Sequence, residues 1–390
     1  MTEPLYAIDS DGHLTEPGDL WENYIDPKYR DSCPKITIME DGGALFRVDD
    51  RISIRDHAVP LKPGVNTAAT FGARTGEIPS ETSYLDAEKG GFDPHERVKW
   101  LDKEGYAATV LYPTMALNAA HGIIDPERQV AVANAYNRYV VDFCKPYPDR
   151  LYGVAMLPTL SIEGSLNEMR LAKKAGMNAV VVRPNPVNGR PLHHPSFYPI
   201  WQLAEEIDMP VAVHGLAGSE NLGMDRFDAQ IADFTGNGPK ERTVDSFSVE
   251  HCFVHVAEMM AAATSFIMAG ICDKFPKMRV AFVEGGATWL PGYVDRMDRH
   301  FDDVGMNDTG LKTRPSEIFQ RQCFASFEPI ERTIAVLAEF VGANKFMVAS
   351  DYPHGDGFPN AIQAVKDMKL KPEVENALLS QGFKEWYGLN

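Results

Sequence analysis

The chain has 390 residues, 44% of them hydrophobic, with 38 Lys and Arg against 55 Asp and Glu for a net charge of −17. That length suits one large α/β barrel with insertions, and the composition can fill a substantial core. The acidic balance, with no basic run interleaved with aromatics, argues against nucleic acid or an anionic membrane as partner.

The first predicted strand is LYAIDSDGH, where Asp9, Asp11 and His13 alternate and so share one face if the backbone is extended. Residues 32–97 follow, rich in Gly, Pro and Asp with short β-like runs such as ALFRVDD, and read as an insertion after that strand. From about residue 100, short apolar runs alternate with helical patterns. ATVLYPTM is a strand before a helix over 126–147. LYGVAMLP is a strand before the helix IEGSLNEMRLAKKAG, and NAVVVRPNP is a strand before FYPIWQLAEEID. PVAVHG precedes a long irregular stretch, 216–246, and then a helix over 255–274. RVAFVEGG, QCFASFEP and FMVASDYPHGDG are the last three strands, each followed by a helical pattern, and a terminal helix closes the chain. Eight strands nearly all separated by helices imply a parallel sheet covered on both faces, and favour a closed (β/α)8 TIM barrel as a single domain over 1–390.

Five cysteines (Cys33, Cys144, Cys252, Cys272 and Cys323), widely spaced and without a C-x-x-C pair, argue against a disulfide framework or a thiolate zinc site. They suit reduced thiols in a cytoplasm. The start MTEPLYAIDSD has neither the basic nor the apolar region of a signal peptide, and AEMMAAATSFIMAGI is too short to cross a bilayer and reads as a buried helix. A cytoplasmic protein is expected. No G-x-G-x-x-G or G-K-[ST] loop follows a strand, which removes the common dinucleotide and P-loop readings.

In such a barrel the strand ends form the active site. Asp11 and His13 end the first strand, Tyr112 and Thr114 the second, Arg183 and Asn185 the fourth, His214 the fifth, Glu284 the sixth, Ser326 and Glu328 the seventh, and Ser350, Asp351 and His354 the eighth. Each has a plainer use. Asp351 can cap a helix, Asp11 can serve the turn at Gly12, and either histidine can bond a loop. Convergence of Asp11, His13, His214 and Asp351 at one end of one barrel instead points to a single divalent metal ion, zinc first, with manganese or iron as alternatives.

The segments IDSDGHLTEP, VVVRPNP, PVAVHG, FPKMRVAFVEGGATWLPGYVDRMD and ASDYPHGDG together resemble the amidohydrolase-related family. They match the branch of the superfamily that includes aminocarboxymuconate semialdehyde, γ-resorcylate and 5-carboxyvanillate decarboxylases. The resemblance implies that Asp11 and His13 replace the family's H-x-H or E-x-H metal ligands, with His214 and Asp351 as the strand-five and strand-eight ligands. It also exposes a departure: Glu284 stands where the family's sixth strand ends in a catalytic histidine, and His255 is a candidate to replace that imidazole. The implied activity is non-oxidative decarboxylation of a small, aromatic carboxylic acid. Asp351 would be proton donor, Arg183 would hold an anion, and Tyr112, Trp289 and His354 would line the substrate. The alternatives are metal-dependent hydrolysis of an amide, lactone or C–C bond, with Asp351 or Glu284 accepting a proton from water, and a barrel that binds without catalysis. Resemblance alone also implies a homodimer.

Overall fold

The computed structural model describes residues 6–38, 44–48, 52–56, 88–117, 123–215, 250–303, 308–355 and 357–389. The chain enters on β1 (Ala7–Leu14). Three antiparallel strands follow, β2 (Lys35–Ile38), β3 (Ala44–Val48) and β4 (Ile52–Asp56), pairing Lys35 with Arg47 and Ala44 with Asp56 as a separate small sheet. They lie within the segment read as an insertion. Residues 57–87 of that segment, and the second long loop at 216–246, fall outside the described residues.

The remaining strands are β5 (Tyr106–Pro113), β6 (Leu151–Met156), β7 (Ala179–Val182), β8 (Val211–His214), β9 (Val280–Val283), β10 (Cys323–Phe327) and β11 (Phe346–Val348). With β1 they form one eight-stranded parallel sheet in the order β1-β5-β6-β7-β8-β9-β10-β11, the order of the chain. Runs such as AVVV and VAFV show no polar alternation because both faces are covered, one by the packed lumen and one by helices. The sheet curls until its edges meet. Ser10 Oγ donates to Val348 O at 2.8 Å, and beyond β11 Asp351 N donates to Asp11 O and His13 N to Tyr352 O, both at 2.7 Å. The result is a (β/α)8 barrel whose seam runs beside the candidate site.

Local chemistry sets where the helices start. Asp93, Asp125 and Ser161 each accept a backbone N–H in the first turn of helices Pro94–Glu104, Pro126–Cys144 and Ile162–Lys174. Gly105, in the left-handed region at φ 95°, ends the first of these. The helix expected over 255–274 is interrupted. His255–Ala263 is α-helical, Thr264–Met268 widens to a π-turn, and Gly270 at φ 86° separates the short helix Ile271–Lys274. The segment Cys252–Lys274 is long and apolar enough to cross a membrane, yet Met259, Ala262, Phe266 and Ile267 are buried against the barrel.

Candidate metal centre

β1 carries the motif D-x-D-G-H, and its register against β5 slips between Asp9 and Gly12. This bulge breaks the simple alternation that would place Asp9 beside Asp11 and His13. The Asp9 carboxylate instead accepts the Ser350 N–H (2.9 Å), the Thr109 hydroxyl (2.7 Å) and the Asp11 N–H (3.3 Å), so it braces the backbone under the site. Burial pushes its pKa up to about 6 against those bonds. Only glycine fits at residue 12, where a Cβ would stand 2.4 Å from Thr109 Oγ1 and 2.8 Å from Val110 O.

Above the bulge, Asp11 and His13 meet His214 from the end of β8. Asp11 Oδ1 lies 3.3 Å from both His13 Nε2 and His214 Nε2, and the two Nε2 atoms are 3.3 Å apart. All three residues are buried. The tautomers follow from their other contacts. His13 Nδ1 faces Pro113 O at 3.2 Å, and His214 Nδ1 faces Gly215 O at 2.6 Å and Glu284 Oε2 at 3.1 Å. Those oxygens only accept, so Nδ1 of each ring carries the hydrogen and each Nε2 lone pair points at Asp11 and at the other ring. Burial, then the His354 ring beside it, pushes His13 down to about 3 against the pull of Asp11, so its imidazole is neutral near pH 7. Burial works to raise the Asp11 carboxyl, and its close contacts with the His13 and His214 rings outweigh that and hold it below its usual range.

Three electron-pair donors that face one another need a cation between them. Ligands at about 2.0–2.1 Å from a tetrahedral zinc stand about 3.3 Å apart, which is the spacing observed. The donor set therefore fits a divalent metal. Asp351 stands next to it: its Oδ1 is 3.5 Å from His13 Nε2, and with His13 and His354 it forms a second group of close donor atoms. A small void of about 20 Å³, room for one water, is walled by Asp11, Glu284, Asp351 and Glu328 among others. Two of these acids hold unusual backbones at their strand ends, Glu284 at φ 62° and Asp351 at φ 55°, a strain that concentrates at functional sites.

His354 flanks the cluster. Its ring packs on His13 at 4.1 Å between centroids, its Nδ1 donates to Asp351 Oδ1 at 2.7 Å, and its Nε2 meets the Thr114 hydroxyl at 2.9 Å. Tyr112 is fully buried with its ring 4.9 Å from that of His214, so it backs the imidazoles from inside the barrel. His255 is buried at the start of its helix and flanks Gly215, where a Cβ would stand 3.8 Å from His255 Cγ and 3.4 Å from Glu284 O. Arg183 follows Val182 as His214 follows Val213, and Val182 pairs with Val213, so the two stand level on neighbouring strands. Trp289 lies in the loop after Glu284, where its Nε1 donates to Gly286 O and its ring packs on Phe282 and Tyr293.

Three residues support the site in ways that the sequence does not announce, Glu16 being expected only to lie near the site mouth. Glu16, fully buried, accepts the N–H groups of Thr114, Met115 and Ala116 at 2.9–3.0 Å and so fixes the loop that presents Thr114 to His354. Arg97, also fully buried, bridges carbonyls of Gly90, Tyr352 and His13 and stacks on the Tyr352 ring, which stitches the barrel seam. Glu331 accepts the N–H groups of Ala287, Thr288 and Glu328, tying the loop after β9 to the loop after β10. For Glu16 and Glu331 the sequence cue is a carboxylate close to an expected strand end; Arg97, inside the helix Pro94–Glu104, has none.

A parallel (β/α)8 barrel with imidazole and carboxylate donors meeting at the C-terminal ends of its first, fifth and eighth strands defines a metal-binding barrel enzyme. The amidohydrolase family matches residues 8–388, and the chain belongs to that family. It is 23% identical over 310 residues to a 2-amino-3-carboxymuconate-6-semialdehyde decarboxylase of Dictyostelium discoideum, covering 79% of this chain and 80% of that one. Among solved structures, an amidohydrolase from Mycobacterium avium subsp. paratuberculosis K-10 superposes with a TM-score of 0.79 at 18% identity, covering both chains completely. A dihydroxybenzoic acid decarboxylase from Polaromonas sp. JS666, solved with manganese and the inhibitor 2-nitroresorcinol, superposes with a TM-score of 0.64 at 15% identity over 99% of this chain and 97% of that one.

Proposed function

We propose that this chain is a metal-dependent, non-oxidative decarboxylase of small aromatic carboxylic acids. The observation that carries the reading is the meeting of Asp11, His13 and His214 at one point, with the Asp351–His354 pair beside it. The decarboxylase names of the relatives support the choice of reaction. Asp11, His13, His214 and Asp351 would hold the ion, zinc or manganese suiting two imidazoles and two carboxylates. Once bound, it supplies Lewis-acid attraction for the carboxylate and a neighbouring hydroxyl oxygen of the substrate.

The chain's own residues do the rest. Arg183, level with His214, holds the substrate anion. Asp351, oriented by His354, delivers a proton to the ring carbon that bears the carboxylate. The bond from that carbon to the carboxylate then breaks, its electron pair stays with the ring, and CO₂ leaves; one aromatic carboxylate and one proton become one arene and CO₂. Glu284 keeps His214 in its Nδ1–H form through the 3.1 Å contact, a second-sphere carboxylate typical of ligating histidines.

Glu284 also favours a second reading, hydrolysis of an amide, lactone or C–C bond, because a carboxylate at the wall of the small void can accept a proton from water. Incubation of the metal-loaded protein with hydroxybenzoates, and separately with esters and amides, decides between them. CO₂ release from the first set, reduced at least a hundredfold in Asp351→Asn, is the expected result. Turnover of the second set only would reject decarboxylation.

A further inference from the structure

A cavity of about 250 Å³ lies at the C-terminal ends of β6 and β7, the latter being the strand next to the one that ends in His214. Ten of its sixteen described lining residues are apolar, Ile123, Met156, Leu160 and Val181 among them; Thr159 and Asn188 add polar groups, and Arg183 supplies the only charge among the described lining residues. Gln129 and Asn185 also line it, but Gln129 Oε1 accepts the Leu160 N–H and Asn185 Nδ2 reaches Glu258. Ile124, at the rim, is 55% exposed, an apolar side chain left in solvent at the opening of an apolar chamber. Arg183 belongs both to this cavity and to the level of His214, so it stands at the junction between chamber and metal centre.

We infer that this cavity is a subsite for an apolar arm on the substrate, and that the preferred substrate is an aromatic acid larger than a single hydroxylated ring. The inference rests on the proposed decarboxylase reading for its acid and deepens it by naming what the acid carries. Size is the first argument. A dry cavity of about 150 Å³ takes benzene, so 250 Å³ exceeds what one ring fills. Chemistry is the second. A guanidinium at the mouth of an apolar chamber matches a molecule with an anionic head and a hydrocarbon body, because the head keeps its charge paired while the body leaves water. A polar arm would lose its hydration against Ile123, Met156 and Val181 and gain little. The arm is therefore an alkyl chain or a second ring, joined to the ring that carries the carboxylate.

The test is calorimetric binding to the manganese-loaded protein of two probes, 2-hydroxybenzoate and 2-hydroxybenzoate bearing a butyl chain on the ring. Each buried methylene is worth about fourfold in affinity, so the butyl probe binds at least tenfold more tightly. Thr159, half-buried in the loop after β6, lines the cavity, and Thr159→Trp fills it and erases the preference. Arg183→Met weakens both probes alike. Equal affinity for the two probes in the unmodified protein, including failure of both to bind, overturns the subsite, as does a preference that survives Thr159→Trp. CO₂ release separates the two ideas. Preference for the butyl probe without CO₂ release from either acid rejects the decarboxylase reading and leaves the subsite standing. CO₂ release with no preference does the reverse.

Discussion

The most informative residue outside the donor cluster is Asp9, a carboxyl with no exposure and a pKa of about 6 raised chiefly by burial. An ordinary aspartate in the unfolded chain ionises near 3.8, so between about pH 4 and pH 6 the folded state binds more protons than the unfolded one. Stability contributed by this group is then present below about pH 4 and lost as pH rises to 6. Asp9→Asn removes the slope and keeps the geometry. Its Oδ1 accepts from Ser350 N and Asp11 N, while its Nδ2 donates to Thr109 Oγ1, whose hydroxyl hydrogen turns to Val110 O, 2.9 Å away. In metal-free protein, the variant's stability relative to the unmodified chain should rise by about 2 kcal/mol between pH 4.5 and pH 7. Parallel denaturation profiles for the two proteins across that range would assign the slope to another group.

At the level of elements, the site depends on how β1 is bent. The bulge at Asp9–Gly12 turns Asp11 and His13 toward His214, and it holds because residue 12 has no side chain. Gly12→Ala forces a methyl against Thr109 Oγ1 and the Val110 carbonyl, and backbone cannot yield as a side-chain tip can. The expected cost is about 2–3 kcal/mol of stability, with most metal affinity lost, read by chemical denaturation and by metal content after dialysis. The strands themselves and the residues at their ends were legible in the sequence, because apolar runs of four or five residues are local signals and because Asp11, His13, His214 and Asp351 each end one of them. The bulge was not, since alternation in D-S-D-G-H reads the same with or without it. Nor were the braces. Arg97 bonds Tyr352, 255 positions away, and Glu16 bonds the loop at Thr114, 98 positions away, so nothing near either residue in the chain announces its partner. The interruption of the helix after His255 was equally hidden, because its composition is apolar throughout and the break is set by packing and by Gly270.

For the whole molecule, the donor cluster sits on the seam where the first and last strands of the barrel meet, and that couples metal binding to the fold. Asp11 and His13 leave β1, Asp351 follows β11, and the seam between them is closed by backbone bonds from Asp351 to Asp11 and from His13 to Tyr352. An ion bound by residues from both edges would clamp the barrel shut and neutralise carboxylates in a chain whose net charge is −17. The unfolded chain has no such arrangement of donors, so binding energy becomes folding energy. At an ion concentration a thousandfold above Kd the gain is about 4 kcal/mol, and for a chain of this length that corresponds to roughly 5 °C in Tm. Chelation should therefore lower the Tm of the metal-loaded protein by about that amount, and added zinc or manganese should restore it. Asp11→Ala provides the control. It removes one donor without touching the strands, so the variant should fold, hold little metal, and show a Tm that chelator no longer moves. If the variant keeps its metal and its response to chelator, Asp11 leaves the ligand set; if the unmodified protein loses its metal to chelator with no change in Tm, the ion does not clamp the seam.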